Sequence, residues 1–156
     1  MSQDKPVKKE ALANKRRNAR QFSLQALYQW SLAGGNLTDI EVQFRTDNDM
    51  SKTDLTLFRE LLHGVPAKVA DLDVHLQPKL DRALKDLDPV EKCILRMGAY
   101  ELAFRLEVPY RVVINECVEL AKLFGATDSH KYINGVLDRV ARELRAAETQ
   151  RNNRPA

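Results

Sequence analysis

Leu55-Thr56-Leu57-Phe58-Arg59-Glu60-Leu61-Leu62-His63-Gly64-Val65-Pro66-Ala67-Lys68-Val69-Ala70-Asp71-Leu72-Asp73-Val74-His75-Leu76 is the stretch that decides the fold class. Within it Leu55, Phe58, Leu62, Val65, Val69, Leu72 and Leu76 recur at alternating steps of three and four. That spacing brings side chains to one face of a helix. Gly64 and Pro66 interrupt the seam. An internal proline removes a backbone hydrogen bond and costs about 3 kcal/mol in a straight helix. The expectation is a long helix bent near Pro66, with two helices as the alternative.

Working toward the N-terminus, Leu12, Ala19, Phe22, Ala26, Trp30 and Ala33 share one helical face from about Glu10, and Gly34-Gly35 supplies a stop. Thr38-x-x-Glu41 reads as a capping box for a short helix with Ile40 and Phe44 inward. Toward the C-terminus, Pro78 opens a short helical segment through Lys85, with Leu80 and Leu84 inward. Asp88-Pro89-Val90-Glu91 has the acidic N-cap, N1 proline and N3 glutamate of a helix start, and that helix runs to about Leu106. Val108-Pro109 breaks it. The next helix carries Val113, Ile114, Cys117, Val118, Ala121 and Phe124 up to Gly125, and the last starts near Asp128 and buries Ile133, Val136, Leu137, Val140 and Leu144. No segment alternates as a strand would, so the fold class is all-α with about seven helices. Residues 1–9 are expected to form a disordered basic extension and residues 148–156 a polar tail.

The 156 residues are 44% hydrophobic and 30% charged, which fits a globular chain with solvated helix faces rather than a disordered one. Cys93 and Cys117 have no CxxC partner and read as buried reduced thiols. The chain lacks an apolar run of the roughly 20 residues a membrane span needs, and its start is polar and basic, so a cytoplasmic protein is expected. His63, His75 and His130 lack ligand spacing, which argues against a metal. Phosphate-loop and dinucleotide fingerprints are absent, so no cofactor is expected. Asp128-Ser129-His130 is not a hydrolase signature, because neighbours on a helix diverge by about 100° and no nucleophile elbow surrounds them. The Glu91, Lys92, Arg96 and Glu101 series fits ordinary helix-surface pairing. Nothing here predicts an enzyme.

Charge is uneven. Residues 1–38 hold seven basic against two acidic side chains, a local excess of five, whereas the remainder holds 18 basic against 20 acidic. A basic arm on a mildly acidic body suits a phosphate-bearing partner. Lys15-Arg16-Arg17-Asn18-Ala19-Arg20 has no acidic residue near it between Glu10 and Asp39. On a helix Arg17, Gln21, Leu24 and Tyr28 form a stripe of about 16 Å, pairing a phosphate-gripping guanidinium with a ring on which an unpaired base can stack. The solvated helix start is the bland alternative. In Phe124 through Leu137, Asp128 is expected as an N-cap, and Lys131 with Tyr132 can repeat the cation-and-ring pairing. Gly135 inside that helix predicts a close helix crossing.

Several blocks in one order then identify a resemblance. They are the arginine-rich start with Gln25-Ala26-Leu27-Tyr28, Phe58 through Val65, Val90-Glu91-Lys92 with Ala99-Tyr100-Glu101-Leu102, Val108-Pro109-Tyr110 with Ile114-Asn115-Glu116 and Glu119-Leu120-Ala121-Lys122, and Phe124-Gly125 through Asp128-Ser129-His130-Lys131 to Asn134-Gly135-Val136-Leu137-Asp138. Over about residues 14–145 the chain resembles the NusB family of bacterial transcription antitermination factors. The resemblance implies two small packed helical bundles, about 10–77 and 78–147. It also implies a non-catalytic RNA-binding factor that pairs with NusE, a small-subunit ribosomal protein. That pair binds boxA RNA in nascent transcripts such as ribosomal RNA operons, within the RNA polymerase elongation complex with other Nus factors. By that likeness Arg16, Arg17, Arg20, Gln25 and Tyr28 would face RNA, Asp128, Lys131 and Tyr132 would continue the surface, and Glu91 and Arg96 would lie toward NusE. Asn18 interrupts an arginine run the family often keeps, and Tyr132 stands for a common phenylalanine. The alternatives are a protein-interaction module without RNA specificity, or a stand-alone relative of the RNA-binding domain of rRNA methyltransferases. A homodimer is left open.

Overall fold

The structure is a computed structural model that describes residues 4–152, with side chains from residue 8 onward. The described residues form eight α-helices and no strand. The chain divides into two compact units, Met1–Pro66 and Ala67–Ala156. The boundary expected near residue 77 therefore lies earlier, because the second half of the apolar seam packs with the helices that follow it.

The first unit holds α1 (Asp4–Ala33), α2 (Leu37–Asp47) and nearly all of α3 (Leu55–Ala67). The helix expected from Glu10 begins at Asp4, so residues 4–9 are helical rather than a disordered extension; residues 1–3 lie outside the described residues. Pro6 is the reason no break occurs: it sits in the first turn, where its missing N–H has no intrahelical partner to lose. Gly34 and Gly35 end α1 with φ +70° and +105°, as expected. The capping box does not form: Asn36 caps α2, its side-chain oxygen accepting from the N–H groups of Thr38 (2.8 Å) and Asp39 (3.1 Å). Glu41 instead turns inward to His63 (2.7 Å), Arg45 (3.3 Å) and Arg59 (3.3 Å). Burial raises its pKa, but those three partners outweigh burial and hold it below the ordinary carboxylate range. Leu57, Phe58, Leu61, Leu62 and Val65 of α3 are buried, with Ala19, Leu24, Ala26 and Leu27 of α1 and Ile40 of α2. Leu12, expected on the buried face, is 44% exposed.

The seam splits rather than bends. It ends as α3 at Ala67 and restarts as α4 (Val69–Leu76) beyond Lys68, whose φ of −113° and ψ of 12° leave the helical region. Pro66 cannot donate to the carbonyl a turn earlier, so the last turn of α3 is the weak point. The second unit continues with single 3₁₀ turns at Gln77–Lys79 and Leu84–Asp86, where one short helix was expected. It is completed by α5 (Pro89–Phe104), α6 (Tyr110–Phe124), α7 (Ser129–Leu144) and α8 (Ala146–Asn152). Asp88 caps α5 as expected, accepting from the Val90 N–H at 2.9 Å. Helices α5, α6 and α7 enclose Ile94, Leu95, Met97, Val113, Cys117, Ile133, Val136 and Leu137. Their close approach occurs at Gly98, where an added Cβ would meet Leu137 Cδ1 at 2.7 Å and Cys117 Sγ at 3.1 Å. Gly135, expected to mark a crossing, has open space around it instead.

The polar tail is corrected over residues 148–152, which belong to α8 (Ala146–Asn152) and are anchored by a buried guanidinium; residues 153–156 lie outside the described residues. Arg145, 6% exposed, donates from Nε to the Leu102 carbonyl (2.8 Å) and from Nη1 to the Val108 carbonyl (3.0 Å) and Glu148 (2.7 Å). Its Nη2 donates to the carbonyls of Glu101 (3.2 Å) and Arg105 (3.0 Å). Glu101 and Leu102 lie in the last turn of α5, where the Glu101 carbonyl accepts from the Arg105 N–H (3.0 Å) and has a lone pair for a second donor, while the Leu102 carbonyl needs a donor from outside the helix. Arg145 supplies those donors from the far end of α7.

Candidate nucleic-acid interface

In the first unit the outward surface of α1 carries Arg17, Gln25 and Tyr28, with Gln21 half-buried between them. These positions follow one another at helical steps of three and four, so they form one stripe. Tyr28 is 37% exposed, enough to offer a ring face, whereas Leu24, read from the sequence as part of this stripe, is 2% exposed and belongs to the core. The Gln25 amide donates to the Gln21 carbonyl at 3.3 Å.

The arginine run does not face outward as a whole. Arg20 is 3% exposed, so its guanidinium is directed inward and is not presented to a polyanion. Arg16 is half-buried, with Nε 3.9 Å from Asp54 Oδ2. The acid-free window around the run therefore did not mean acid-free surroundings, because Asp54 arrives from the segment before α3. That segment is strapped to α1 twice more: the Asp54 N–H donates to the Lys15 carbonyl (3.0 Å), and Asn18 Nδ2 donates to the Lys52 carbonyl (2.9 Å). Asn18 is thus a tie within the unit.

In the second unit Asp128 has φ +66° and makes no side-chain cap, contrary to expectation; its carboxylate lies 3.4 Å from Lys131 Nζ. The left-handed backbone turns that carboxylate away from the first N–H groups of α7. Lys131 is exposed. Tyr132 is half-buried and donates its hydroxyl to Asp81 (2.9 Å), while the Arg82 guanidinium lies 5.4 Å from the ring centroid and also binds Asp81 (2.8 Å). The Arg82 hydrogen bond, aided by Tyr132, lowers the Asp81 pKa to about 2, and burial followed by the bond to Asp81 raises that of Tyr132. Asp81 and Arg82 escaped the sequence reading because they sit between two 3₁₀ turns, 51 and 50 positions from the ring they meet.

Of the residues assigned to partner binding, Arg96 is engaged internally, forking onto Asp73 of α4 at 3.0 and 2.9 Å. Such a planar bidentate pair locks α5 to α4. Glu91, half-buried in the first turn of α5, has its pKa raised by burial and then by the Asp88 carboxylate. Among the described residues no group of three or more His, Cys, Asp or Glu could hold a metal ion, and no helix is long and apolar enough to cross a membrane.

The sequence profile described as the NusB family matches residues 17–142. The chain is 56% identical over 146 residues to the "Transcription antitermination protein NusB" of Pseudomonas entomophila (strain L48), covering 94% of this chain and 88% of that protein. It is 60% identical over 133 residues to the protein of the same name from Alcanivorax borkumensis, covering 85% of this chain and 89% of that protein. Among solved structures it is similar to "T. maritima NusB, P3121, Form 2", with a TM-score of 0.70 and 30% identity over 82% of this chain and 91% of the other.

Proposed function

The chain belongs to the NusB family of transcription antitermination proteins, and from that premise we propose that it is a non-catalytic factor that binds boxA RNA in nascent transcripts together with NusE. The observation that carries this reading is the outward stripe of Arg17, Gln25 and Tyr28 on α1. A guanidinium grips phosphate, and an aromatic face accepts an unstacked base whatever its identity. Lys131 and the Tyr132 ring add the same pairing in the second unit. Arg16 contributes from its half-buried position, whereas Arg20 supports the fold. Glu91 is the residue left to meet NusE, since a cation from the partner would neutralise a carboxylate that its surroundings disfavour. The complex acts on RNA polymerase as an assembled unit with other Nus factors.

Titration of labelled boxA RNA against the chain, with and without NusE at two salt concentrations, tests the proposal. Arg17→Ala is expected to weaken binding across RNA sequences and to reduce the salt slope by about one, and Tyr28→Ala to remove a stacking contribution of about 1–3 kcal/mol. Wild-type affinity in an Arg17→Ala/Tyr28→Ala double variant at both salt concentrations, with NusE present, would refute it.

A further inference from the structure

A cleft of about 310 Å³ in the second unit lies outside the stripes described so far. One wall is α6, with Arg111, Ile114 and Asn115, and the other is α7, with Asn134, Asp138 and Arg142; Tyr110 and Thr149 close the end. Arg111 and Asn115 are four apart, as are Asn134, Asp138 and Arg142, so each set lines one helix face. Lys131 lies one turn before Asn134 on the same face of α7.

The functional groups are of four kinds. Asn115 and Asn134 are exposed, and their carboxamides make no hydrogen bond among the described residues. Arg111, exposed, donates from Nε to the Tyr110 hydroxyl (3.2 Å), its guanidinium 5.7 Å from that ring's centroid. Arg142 holds Asp138 at 3.0 Å. The end of the cleft is rigid: the Tyr110 N–H donates to Glu148 at 3.0 Å, and Glu148 is held by the buried Arg145 at 2.7 Å.

We propose that this cleft binds one unpaired ribonucleotide of the RNA strand. The inference rests on the RNA-binding reading above and adds to it a site that reads the base. Carboxamides both donate and accept, as base edges require, and a guanidinium meets the phosphate. The Asp138 carboxylate accepts from a ribose hydroxyl, a donor that DNA lacks at the 2′ position. An acidic peptide would gain nothing from Asp138 and be repelled by it. The volume is at the lower end of the range of small-ligand sites and suits a single nucleotide.

The test uses the full chain and a short single-stranded RNA carrying boxA. Asn115→Ala/Asn134→Ala is expected to weaken binding about tenfold without changing the salt slope, since bases and not phosphates are lost, whereas Arg111→Ala reduces the slope by about one. The side-chain amide NMR signals of both asparagines should shift on RNA addition in the wild type. Both asparagines are exposed, so the thermal midpoint of the double variant should match wild type. If that variant binds RNA like wild type while Arg17→Ala still weakens binding, the cleft assignment fails and the RNA-binding reading stands. If it loses NusE and keeps RNA, the cleft is a protein contact and the assignment is overturned. Absence of RNA binding by the wild type, with NusE present, overturns both.

Discussion

Replacing Arg145 by Met keeps the apolar stem and removes the guanidinium that holds the end of α5 to α7 and α8. Five hydrogen bonds disappear, four to carbonyls and one to Glu148. The carbonyls of Glu101 and Arg105 keep backbone donors, from the N–H groups of Arg105 and Val108, each at 3.0 Å. For Leu102 and Val108 the guanidinium is the donor, and a buried carbonyl without one costs about 1–3 kcal/mol. Breaking a buried ion pair by removing one partner costs about 3–5 kcal/mol, and since the two figures describe overlapping losses the expected destabilisation is about 3–5 kcal/mol in all. At about 2–4 °C per kcal/mol for a chain of this length, the thermal midpoint should fall by roughly 6–20 °C. Urea unfolding of wild type, Arg145→Met, Glu148→Gln and the double variant gives the stability change and the Arg145 to Glu148 coupling, expected above about 1 kcal/mol. A change within about 0.5 kcal/mol for Arg145→Met, the range of an exposed position, would refute the claim that this arginine ties the unit together.

Gly98→Ala should destabilise by about 1–3 kcal/mol, because its Cβ would drive into the buried Leu137 side chain, whereas Gly135→Ala, with open space around it, should stabilise by up to about 1 kcal/mol through helix propensity; chemical denaturation separates the two signs. Glu91 has a raised folded pKa, so its neutral form favours folding and that contribution is lost as pH rises through the folded value. Glu91→Gln should therefore raise the midpoint near pH 7 in the unpartnered chain and confer little at pH 4 or below, a crossover that thermal melts across pH would show. Glu41 has the opposite sign: its lowered pKa contributes stability above the unfolded value of 4.5 that is lost as pH falls through the folded one, so Glu41→Gln should flatten the acid limb of the stability profile.

What the sequence determined by itself is the all-helical class and the position of most helices. Periodicity, Gly34-Gly35 and Asp88-Pro89 act within one or two turns, and a local window contains all the atoms involved. The splitting of the seam near Pro66 was among the local expectations too, as the alternative to a bend. The exposure of a cation is a different kind of property. Arg17 and Arg20 are three apart in one basic run, yet one faces out and the other is buried. Asp54 reached Arg16 across 38 positions, Asp73 reached Arg96 across 23, and Asp81 reached Tyr132 across 51. Only tertiary structure decides such pairings, because the cost of burying a charge depends on which distant groups fold against it. The cleft between α6 and α7 has the same origin: its two stripes are each visible as spacings of four, but only helix packing turns them to face each other.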